Sequence, residues 1–302
     1  MNRPTLMPYV HIVTAGIIWG STFSLALIAT ADGAHPVTLT ALQVGLTAVC
    51  FVVVCASSRV PVFTLHNTPH YLLLAAVGIV IPDLLYYSAA PHLSAGILSI
   101  TVSTVAVFTY LFMLALGRER FDHKRAFGIV LGMIAIVLLV LPEQGLEQSD
   151  ASFWVILVVL CAVCYAGENV YIGEYIPRRV DIRELLCGSN LIAAIVMIPA
   201  VWLLDLPVSA SWLTSSASMA IVAIAVSSTL AYLMFFHTIK QAGPVFAGQC
   251  AYVVTLSGVV WGIVLFGEQH TLYVWLSVIT MMLGLFLVTP RRRESHAEPA
   301  HE

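Results

Sequence analysis

Two acidic residues lie deep within apolar stretches of the sequence, and their surroundings decide what chemistry they can do. Asp83 follows a proline in GIVIPDLLYY, and Glu168 lies in AGENVYIGEY. On insertion scales, a carboxylate at the centre of a bilayer costs about 2.5 to 3.5 kcal/mol. If these stretches cross a membrane, each acid must take up a proton, accept hydrogen bonds or meet a cation.

The composition of the chain indicates a membrane protein. Of its 302 residues, 60% are hydrophobic and only 10% are charged, whereas soluble domains carry about 25% charged residues. A water-soluble globule is therefore excluded. The net charge of -3 comes with no basic patch of the kind that nucleic-acid binding requires.

The apolar runs predict an all-α membrane protein with ten transmembrane helices. A span needs about 20 apolar residues, so ten spans with short loops fit a chain of this length. Proline, glycine and charge clusters separate the runs. The predicted spans are 8–30, 36–56, 69–90, 94–116, 125–141, 152–176, 183–204, 212–239, 244–266 and 271–288.

The basic residues predict the orientation of these spans. If the N-terminus is cytoplasmic, all thirteen fall on the cytoplasmic side, as the positive-inside rule requires. We therefore expect a multi-pass membrane protein with both termini in the cytoplasm. The basic residues are Arg3, Arg59, Arg118, Arg120, Lys124, Arg125, Arg178, Arg179, Arg183, Lys240, Arg291, Arg292 and Arg293.

The first span also has one feature of a cleavable signal peptide, since Arg3 precedes its apolar run. That run is longer than a signal-peptide core of about 7–15 residues, and it contains Trp19 and Gly20. We expect the segment to be retained as a membrane span.

Sequence matches between the two halves of the chain indicate an internal repeat. YSAAPHLSAG, from Tyr87, resembles YLMFFHTIKQAG, from Tyr232, and LALGRE ending at Glu119 matches IVLFGE ending at Glu268. Because each half has five spans, an odd number, the halves must cross the membrane in opposite directions, as the inverted repeats of many secondary transporters do. The predicted units are residues 1–145, residues 146–290 and a cytoplasmic tail at 291–302.

These motifs carry a family resemblance. WGSTFSLAL in the first span, the paired endings LALGRERF and IVLFGEQHT, and the two five-helix halves resemble EamA-type carriers of the drug/metabolite transporter superfamily. Within it, the chain is most similar to bacterial exporters of aromatic and other neutral amino acids. The resemblance implies export of an amino acid or related metabolite across the bacterial inner membrane by alternating access. A multidrug or metabolite efflux carrier of the same fold is the alternative.

The chain departs from this family in the fourth and ninth spans. Members commonly have a proline near the middle of each, whereas Val105 to Val107 and Thr255 to Leu256 occupy those places here. The way in which the two helices bend is therefore left open.

Aromatic residues near the two acids predict a substrate-binding cavity. Tyr86 and Tyr87 follow Asp83 by three and four residues, and Tyr165 precedes Glu168 by three, so each set shares a helical face with its acid. Such a face suits a zwitterion with an apolar side chain. Further aromatic residues that we expect to complete the cavity are Trp19, Phe23, Tyr232, Tyr252 and Trp261.

Each of these residues also has a structural interpretation. The acids can be protonated packing residues, or Asp83 can accept amides that Pro82 leaves free, and membrane aromatics often form interfacial belts. The functional alternative is that one acid binds a proton or a substrate ammonium. Proton-coupled antiport and facilitated diffusion both stay open.

His92 and His237 occupy matching positions in the two halves, near opposite membrane faces. Histidine titrates near pH 6.5, so a pair of pH-sensitive gate residues is one interpretation. Hydrogen bonding at the membrane interface is the other.

Gly128 and Gly132 form a GxxxG pattern in the fifth span. This pattern lets helix backbones approach closely. It serves either a contact between two protomers of a homo-oligomer or packing within one chain.

Other functional classes lack their motifs. The sequence has no HExxH, no G-x-S-x-G and no P-loop, so we expect neither an enzyme nor an ATP-driven pump. Cys161 and Cys164 form a C-x-x-C without a second ligand pair, so no metal or other cofactor is expected. A passive channel would not need alternating access, whereas the inverted halves, with Gly and Pro near helix ends, suit rocking of one half against the other. The expected partners are a small-molecule substrate and the lipid bilayer.

Overall fold

Helices make up the described chain. The structure is a computed structural model that describes residues 7–31, 33–140, 151–177, 179–206, 215–242 and 244–288. These residues contain no β-strand. The helices are α1 (Met7–Thr30), α2 (Pro36–Ser58), α3 (Thr68–Leu74), α4 (Ile81–Ala89), α5 (Ala95–Val102), α6 (Val105–Ala115), α7 (His123–Val140), α8 (Ala151–Glu174), α9 (Ile182–Leu203), α10 (Ser216–Ala242), α11 (Pro244–Ala247), α12 (Cys250–Phe266) and α13 (Leu272–Val288).

Within this described part, seven helical segments are long and apolar enough to cross a membrane. Two further apolar helices, Cys250–Phe266 and Leu272–Leu287, are shorter. The prediction of an all-α membrane protein is confirmed for the described residues. The seven segments are Met7–Thr30, Pro36–Ser58, Leu65–His92, Ala95–Ala115, Ser152–Glu174, Ile182–Leu203 and Ser216–Ala242.

Some sequence predictions concern residues that the structure does not describe. Among them are the basic residues Arg3, Arg178 and Arg291 to Arg293, the cytoplasmic tail at 291–302, and the start of the eighth predicted span at 212–214.

The fourth predicted span is interrupted without a proline. Ser103 and Thr104 separate α5 from α6. The Ser103 hydroxyl donates to the Ser99 carbonyl at 2.8 Å, and the Thr104 hydroxyl donates to the Thr101 carbonyl at 2.7 Å. Such hydrogen bonds to carbonyls one turn earlier often bend helices. Two adjacent hydroxyl residues therefore mark the interruption in this chain.

The ninth predicted span is interrupted nearer its start. Gly248 and Gln249 separate α11 from α12, and the amides of Ala251 and Tyr252 donate to their carbonyls at 3.1 Å each. These bonds join residues three apart, as in a 3₁₀ turn. Thr255, in the family's proline region, lies within the regular helix α12.

The first and second halves of the chain interdigitate. Helix α1 packs against α10 and α12, and α8 packs against α4 and α6. Three further pairs also join the halves: α2 with α9, α5 with α12, and α7 with α13. The outer surface is apolar, with Trp202 at 81% and Leu203 at 85% exposure. Such a surface is expected against lipid, where close packing rather than hydrophobic burial holds helices together.

The glycines of the GxxxG pattern contact a helix of the same chain. A Cβ atom at Gly284 on α13 would lie 2.8 Å from the carbonyl oxygen of Gly128 and 3.0 Å from the amide nitrogen of Gly132, both on α7. The backbones of α7 and α13 therefore approach too closely for a side chain at Gly284. In this structure the glycine face serves packing within the chain.

Glu268 fastens the loop between α12 and α13 to the start of α5. Its carboxylate accepts hydrogen bonds from the amides of Ala95, at 2.7 Å, and Gly96, at 3.2 Å. His270 Nε2 lies 3.3 Å from the same carboxylate. The first amides of a helix have no partner within it, and its positive dipole end favours an anion. Glu268 thus links the start of α5 to the segment that follows α12.

Substituting Gly284 with Ala tests the contact between α7 and α13. We expect destabilisation of about 1–3 kcal/mol, because the new methyl group overlaps the α7 backbone. The measurement is the thermal unfolding midpoint of detergent-solubilised protein. Gly45→Ala is the control, since its Cβ would meet only Ile198 Cδ1, at 3.6 Å. Equal midpoints for both variants would contradict the close approach.

The contacts of Glu268 also predict a dependence of stability on pH. Burial alone would raise the pKa of Glu268, but the nearby His270 side chain and the hydrogen bonds from the amides of Ala95 and Gly96 outweigh it and lower the pKa from its ordinary value of 4.5. A lowered folded-state pKa stabilises the protein above the unfolded value, and this contribution disappears as the pH falls through the folded value.

The test compares unfolding midpoints of the wild type and Glu268→Gln between pH 7 and pH 3.5. We expect the variant to be less stable at pH 7 and the difference to shrink below about pH 4.5. A difference that stays constant with pH would show that the charge of Glu268 does not contribute.

Candidate functional site

A cavity of about 170 Å³ lies at the centre of the bundle. Its size is similar to that of an engineered cavity of about 150 Å³ that admits benzene. Helices from both halves contribute to its walls. The lining residues are Trp19, Thr22, Phe23, Gln43, Asp83, Tyr86, Tyr87, Val102, Ser103, Val105, Ala106, Thr109, Tyr165, Glu168, Asn169, Ile224, Ser228, Tyr232, Phe235, Phe236, Gly248, Cys250, Ala251 and Val254.

An irregular helical segment places Asp83 on the cavity wall. The π-helical segment Ala75–Val80 precedes α4, which has Pro82 in its first turn. Proline has no amide hydrogen and crowds the preceding turn, so a wider turn before it relieves both problems. Asp83 follows immediately, in the first turn of α4, and is 7% exposed.

Two polar side chains hold the carboxylate of Asp83. Gln43 on α2 donates from Nε2 to Asp83 Oδ2 at 2.9 Å, and the Tyr165 hydroxyl donates to Oδ1 at 3.5 Å. The Tyr87 hydroxyl in turn donates to the Gln43 side-chain carbonyl. This chain of hydrogen bonds fixes the Gln43 amide with its donor towards Asp83. Asp83 is therefore a positioned carboxylate.

Glu168 is buried with fewer partners. It is 3% exposed, and no donor among the described residues hydrogen-bonds to its carboxylate. Its Cδ atom lies where a side chain at Gly78 would be, only 2.5 Å from an ideal Cβ position. Gly78 in the π-helical segment thus makes the space that the carboxylate occupies. Asp83 lines the same cavity, and a negative charge on Asp83 repels a negative charge on Glu168.

Aromatic rings form much of the remaining wall. Trp19 contacts Tyr232 and Phe235 edge-on, with ring centroids 5.2 and 5.1 Å apart. Phe23 contacts Tyr86 at 6.0 Å. The rings come from α1, α4 and α10 and pack against one another, which restricts their rotation.

The structure brings most of the sequence-predicted site residues to this cavity. Asp83, Glu168, and the aromatic residues Trp19, Phe23, Tyr86, Tyr87, Tyr165 and Tyr232 line it.

Two predicted site residues on α12, Tyr252 and Trp261, are not among the lining residues. Ala251 and Val254 face the cavity, and Tyr252 points about 100° away from Ala251 around the helix. Trp261 lies about 10 Å beyond Val254 along the same face. Between them, Phe23 and Ser99 pack against Gly258, which ends the cavity.

The two histidines lie away from the cavity, on exposed positions. His92 stacks on Trp154, with ring centroids 3.9 Å apart. His237 Nε2 lies 2.7 Å from Gln241 Nε2, and its ring centroid is 5.6 Å from that of His11. Both interpretations of the two histidines, interfacial hydrogen bonding and a role as gates, stay predictions.

Several polar lining residues were missed from the sequence. Gln43 was detectable as an isolated amide in the middle of an apolar span, and Asn169 as the neighbour of Glu168. Ser103 and Ser228 carried no signal, because single hydroxyl residues are ordinary in membrane helices. Their place on the cavity wall depends on helix rotation, which the sequence pattern does not specify.

A third buried carboxylate provides a contrast with Glu168. Glu184, near the start of α9, is 7% exposed and accepts hydrogen bonds from the Tyr71 hydroxyl at 2.5 Å and Asn67 Nδ2 at 2.9 Å. It lies away from the cavity and ties α9 to α3. Its partners are those of a structural acid.

Buried acids in a central cavity of an apolar helical bundle are features of a multi-pass membrane protein with an internal cavity. The sequence matches the model of the EamA-like transporter family over residues 6–141 and again over 152–289. The chain belongs to this family. It is therefore a membrane transporter of small molecules, and the family consists of transporters rather than enzymes.

Comparison with individual proteins adds fold information. No curated protein matches the sequence. A solved structure described as "Crystal structure of protein" is 18% identical, with a TM-score of 0.68 over 93% of this chain and 96% of its own. At this identity the likeness shows a shared fold alone.

Glu168→Gln and Asp83→Asn test the two carboxylates, because each keeps the shape of the side chain and removes its charge. We expect either variant to lower transport by about tenfold or more, as loss of a charge-assisted contact of about 1.5–3 kcal/mol implies. The measurement is initial transport rate per folded protein. Glu174→Gln, which changes an acid paired with Arg118 outside the cavity, is the control. Unchanged rates in both cavity variants would leave the acids a packing role.

Proposed function

We propose that this chain is a secondary transporter that exports amino acids with aromatic or other neutral side chains, or related small metabolites, across the bacterial inner membrane. The observation that carries the proposal is the pair of buried carboxylates, Asp83 and Glu168, in a cavity of about 170 Å³ with aromatic walls. A carboxylate is suited to an ammonium group, and the rings are suited to an apolar side chain.

The proposal includes ten membrane-spanning helices in two inverted five-helix repeats, residues 1–145 and 146–290. The two matches to the family model support two similar halves. The helix contacts support a twofold relation between the halves. When the first and second halves are exchanged, each of the main contacts between two helices corresponds to a contact that the structure also contains. The packing of α1 against α10 and α12 corresponds to that of α8 against α4 and α6, while the pair α2–α9 and the pair α7–α13 each map onto themselves.

Cytoplasmic termini follow from the basic residues. With that orientation, all thirteen Lys and Arg residues lie on the cytoplasmic side, as the positive-inside rule favours. The family resemblance supports the bacterial inner membrane and export, while the direction of flux in any one experiment follows the gradients imposed.

Alternating access is supported by close packing at one end of the cavity. At one end Phe23 and Ser99 pack on Gly258, and Glu268 fastens the start of α5. Towards the other end the cavity reaches Phe236 and Gly248, near the junction of α10, α11 and α12. One closed end is what a single state of an alternating-access carrier is expected to have.

Exchange of a proton for a substrate ammonium would couple transport to the proton gradient. Asp83 and Glu168 repel each other when both are charged, so the empty cavity favours a proton on the pair. A bound substrate cation offsets the repulsion between the two carboxylates, so the pair no longer needs the proton. A multidrug or metabolite efflux carrier remains the second candidate, because the aromatic walls would accept apolar bodies of varied shape.

Uptake into proteoliposomes tests the proposed function. We expect saturable uptake of radiolabelled neutral amino acids or related amines, faster when the vesicle interior is acidic, because substrate entry would be exchanged for proton exit. Empty liposomes and the double variant Asp83→Asn, Glu168→Gln are the controls. Saturable flux that ignores the gradient would remove proton coupling. Absence of flux for every compound would contradict the proposed substrates.

A further inference from the structure

The cavity has an unbalanced charge. Its described lining residues include the two acids Asp83 and Glu168 and no Lys, Arg or His. An amino acid at neutral pH carries both an ammonium and a carboxylate. The walls therefore offer a charge opposite to that of the ammonium, and none opposite to that of the carboxylate.

Of the two acids, Glu168 is the one whose carboxylate accepts no hydrogen bond from the described residues. Asp83 already accepts hydrogen bonds from Gln43 and Tyr165, whereas no donor among the described residues reaches the 3%-exposed carboxylate of Glu168. Glu184, another buried acid, has two donors of its own. A buried anion without donors is expensive, so Glu168 has the strongest requirement for a cation.

Some of the hydroxyl groups on the cavity wall already donate to the helices themselves, whereas the Tyr86 hydroxyl is buried without a partner. The hydroxyls of Thr22 and Thr109 donate to backbone carbonyls one turn earlier, at 2.7 Å each. Ser103 donates to the Ser99 carbonyl at 2.8 Å. A substrate carboxylate facing Thr22, Thr109 and Ser103 would therefore gain no strong donor from them, and anywhere in the cavity it would be repelled by the two acids.

The backbone at the start of α12 is similarly occupied. Gly248, Cys250 and Ala251 line the cavity where this helix begins. The amide of Ala251 donates to the Gly248 carbonyl, and the amide of Tyr252 donates to the Gln249 carbonyl, at 3.1 Å each. These amides are therefore not free to bind an anion.

The aromatic walls complete a site for a cation with an apolar body. Trp19, Tyr232 and Phe235 form one ring cluster and Phe23 with Tyr86 another. Ring faces attract ammonium groups, and more strongly when water is excluded. The same rings give an aromatic or aliphatic body close contact.

We propose that the cavity recognises a protonated primary amine joined to an apolar body of about one aromatic ring, that Glu168 is its main ligand, and that a carboxylate on the substrate weakens binding. This inference rests on the proposed transport function, and within its substrates it favours amines without a carboxylate over the amino acids themselves. Asp83, positioned by Gln43, is the second acid of the pair.

A series of related compounds tests this inference by isothermal titration calorimetry on the purified full-length protein in detergent at pH 7. The probes are 2-phenylethylamine, phenylalanine methyl ester, phenylalanine and 3-phenylpropionate. They share one ring and differ in whether they carry the ammonium, the carboxylate or both. Measurements on the wild-type protein alone therefore test the inference, even if a variant does not fold.

We expect 2-phenylethylamine and the methyl ester to bind about tenfold or more tightly than phenylalanine, and 3-phenylpropionate not to bind. Glu168→Gln should weaken binding of the amine by a similar factor, and so should Gly78→Ala, which displaces Glu168 without changing any charge. Glu174→Gln should leave it unchanged.

Two outcomes would overturn the inference. If phenylalanine binds or is transported while 2-phenylethylamine does not bind, the cavity requires the carboxylate, yet the proposed amino-acid transporter stands. If none of the four compounds binds to folded protein, both the inference and the proposed substrates are wrong.

Discussion

Negative charge inside a membrane protein, with no basic side chain beside it, is the constraint on which the central structure depends. Asp83 and Glu168 share one cavity, and the described lining contains no Lys, Arg or His. A carboxylate in such surroundings needs hydrogen bonds, a proton or a cation. The hydrogen bonds of Gln43 and Tyr165 meet part of this need for Asp83, whereas Glu168 depends on a proton or a bound cation. The exchange of one for the other provides a physical basis for coupled transport.

The irregular parts of the fold are found around this site. The π-helical segment Ala75–Val80 leads into Pro82 and Asp83, and within it Gly78 leaves room for Glu168. Interruptions at Ser103–Thr104 and Gly248–Gln249 border the same cavity. Regular helices satisfy their backbone groups internally, and irregular backbone within a membrane is tolerated where it is buried in protein or lines a cavity. The departures from helical regularity are therefore where a binding site and a moving part can be accommodated.

The sequence correctly predicted an all-helical membrane protein for the described residues, because the signals for apolar helices are strong in a membrane protein. Long apolar runs and clustered charges marked the helices, and the isolated acids Asp83 and Glu168 stood out against an apolar background. The nearby aromatic residues followed from helical spacing, which placed Tyr86, Tyr87 and Tyr165 correctly on the cavity wall. That match concerns position, and their part in substrate binding remains a proposal.

What the sequence could not provide was the rotation and depth of each helix. Tyr252 and Trp261 were expected at the cavity but lie off its walls, since α12 turns Ala251 and Val254 inward and the cavity ends at Gly258. Gln43 was missed because its role depends on a contact with Asp83, forty residues away. The GxxxG pattern likewise predicted a close contact without specifying the partner, which proved to be Gly284 on α13.

The central claim is that a substrate cation replaces a proton on the acid pair, and proton release on binding tests it most directly. Calorimetric titration with 2-phenylethylamine in buffers of different ionisation enthalpy measures the number of protons released. The account predicts release of about one proton per bound amine from wild-type protein, and little release from the double variant Asp83→Asn, Glu168→Gln. Tight binding without proton release would contradict the exchange between proton and substrate.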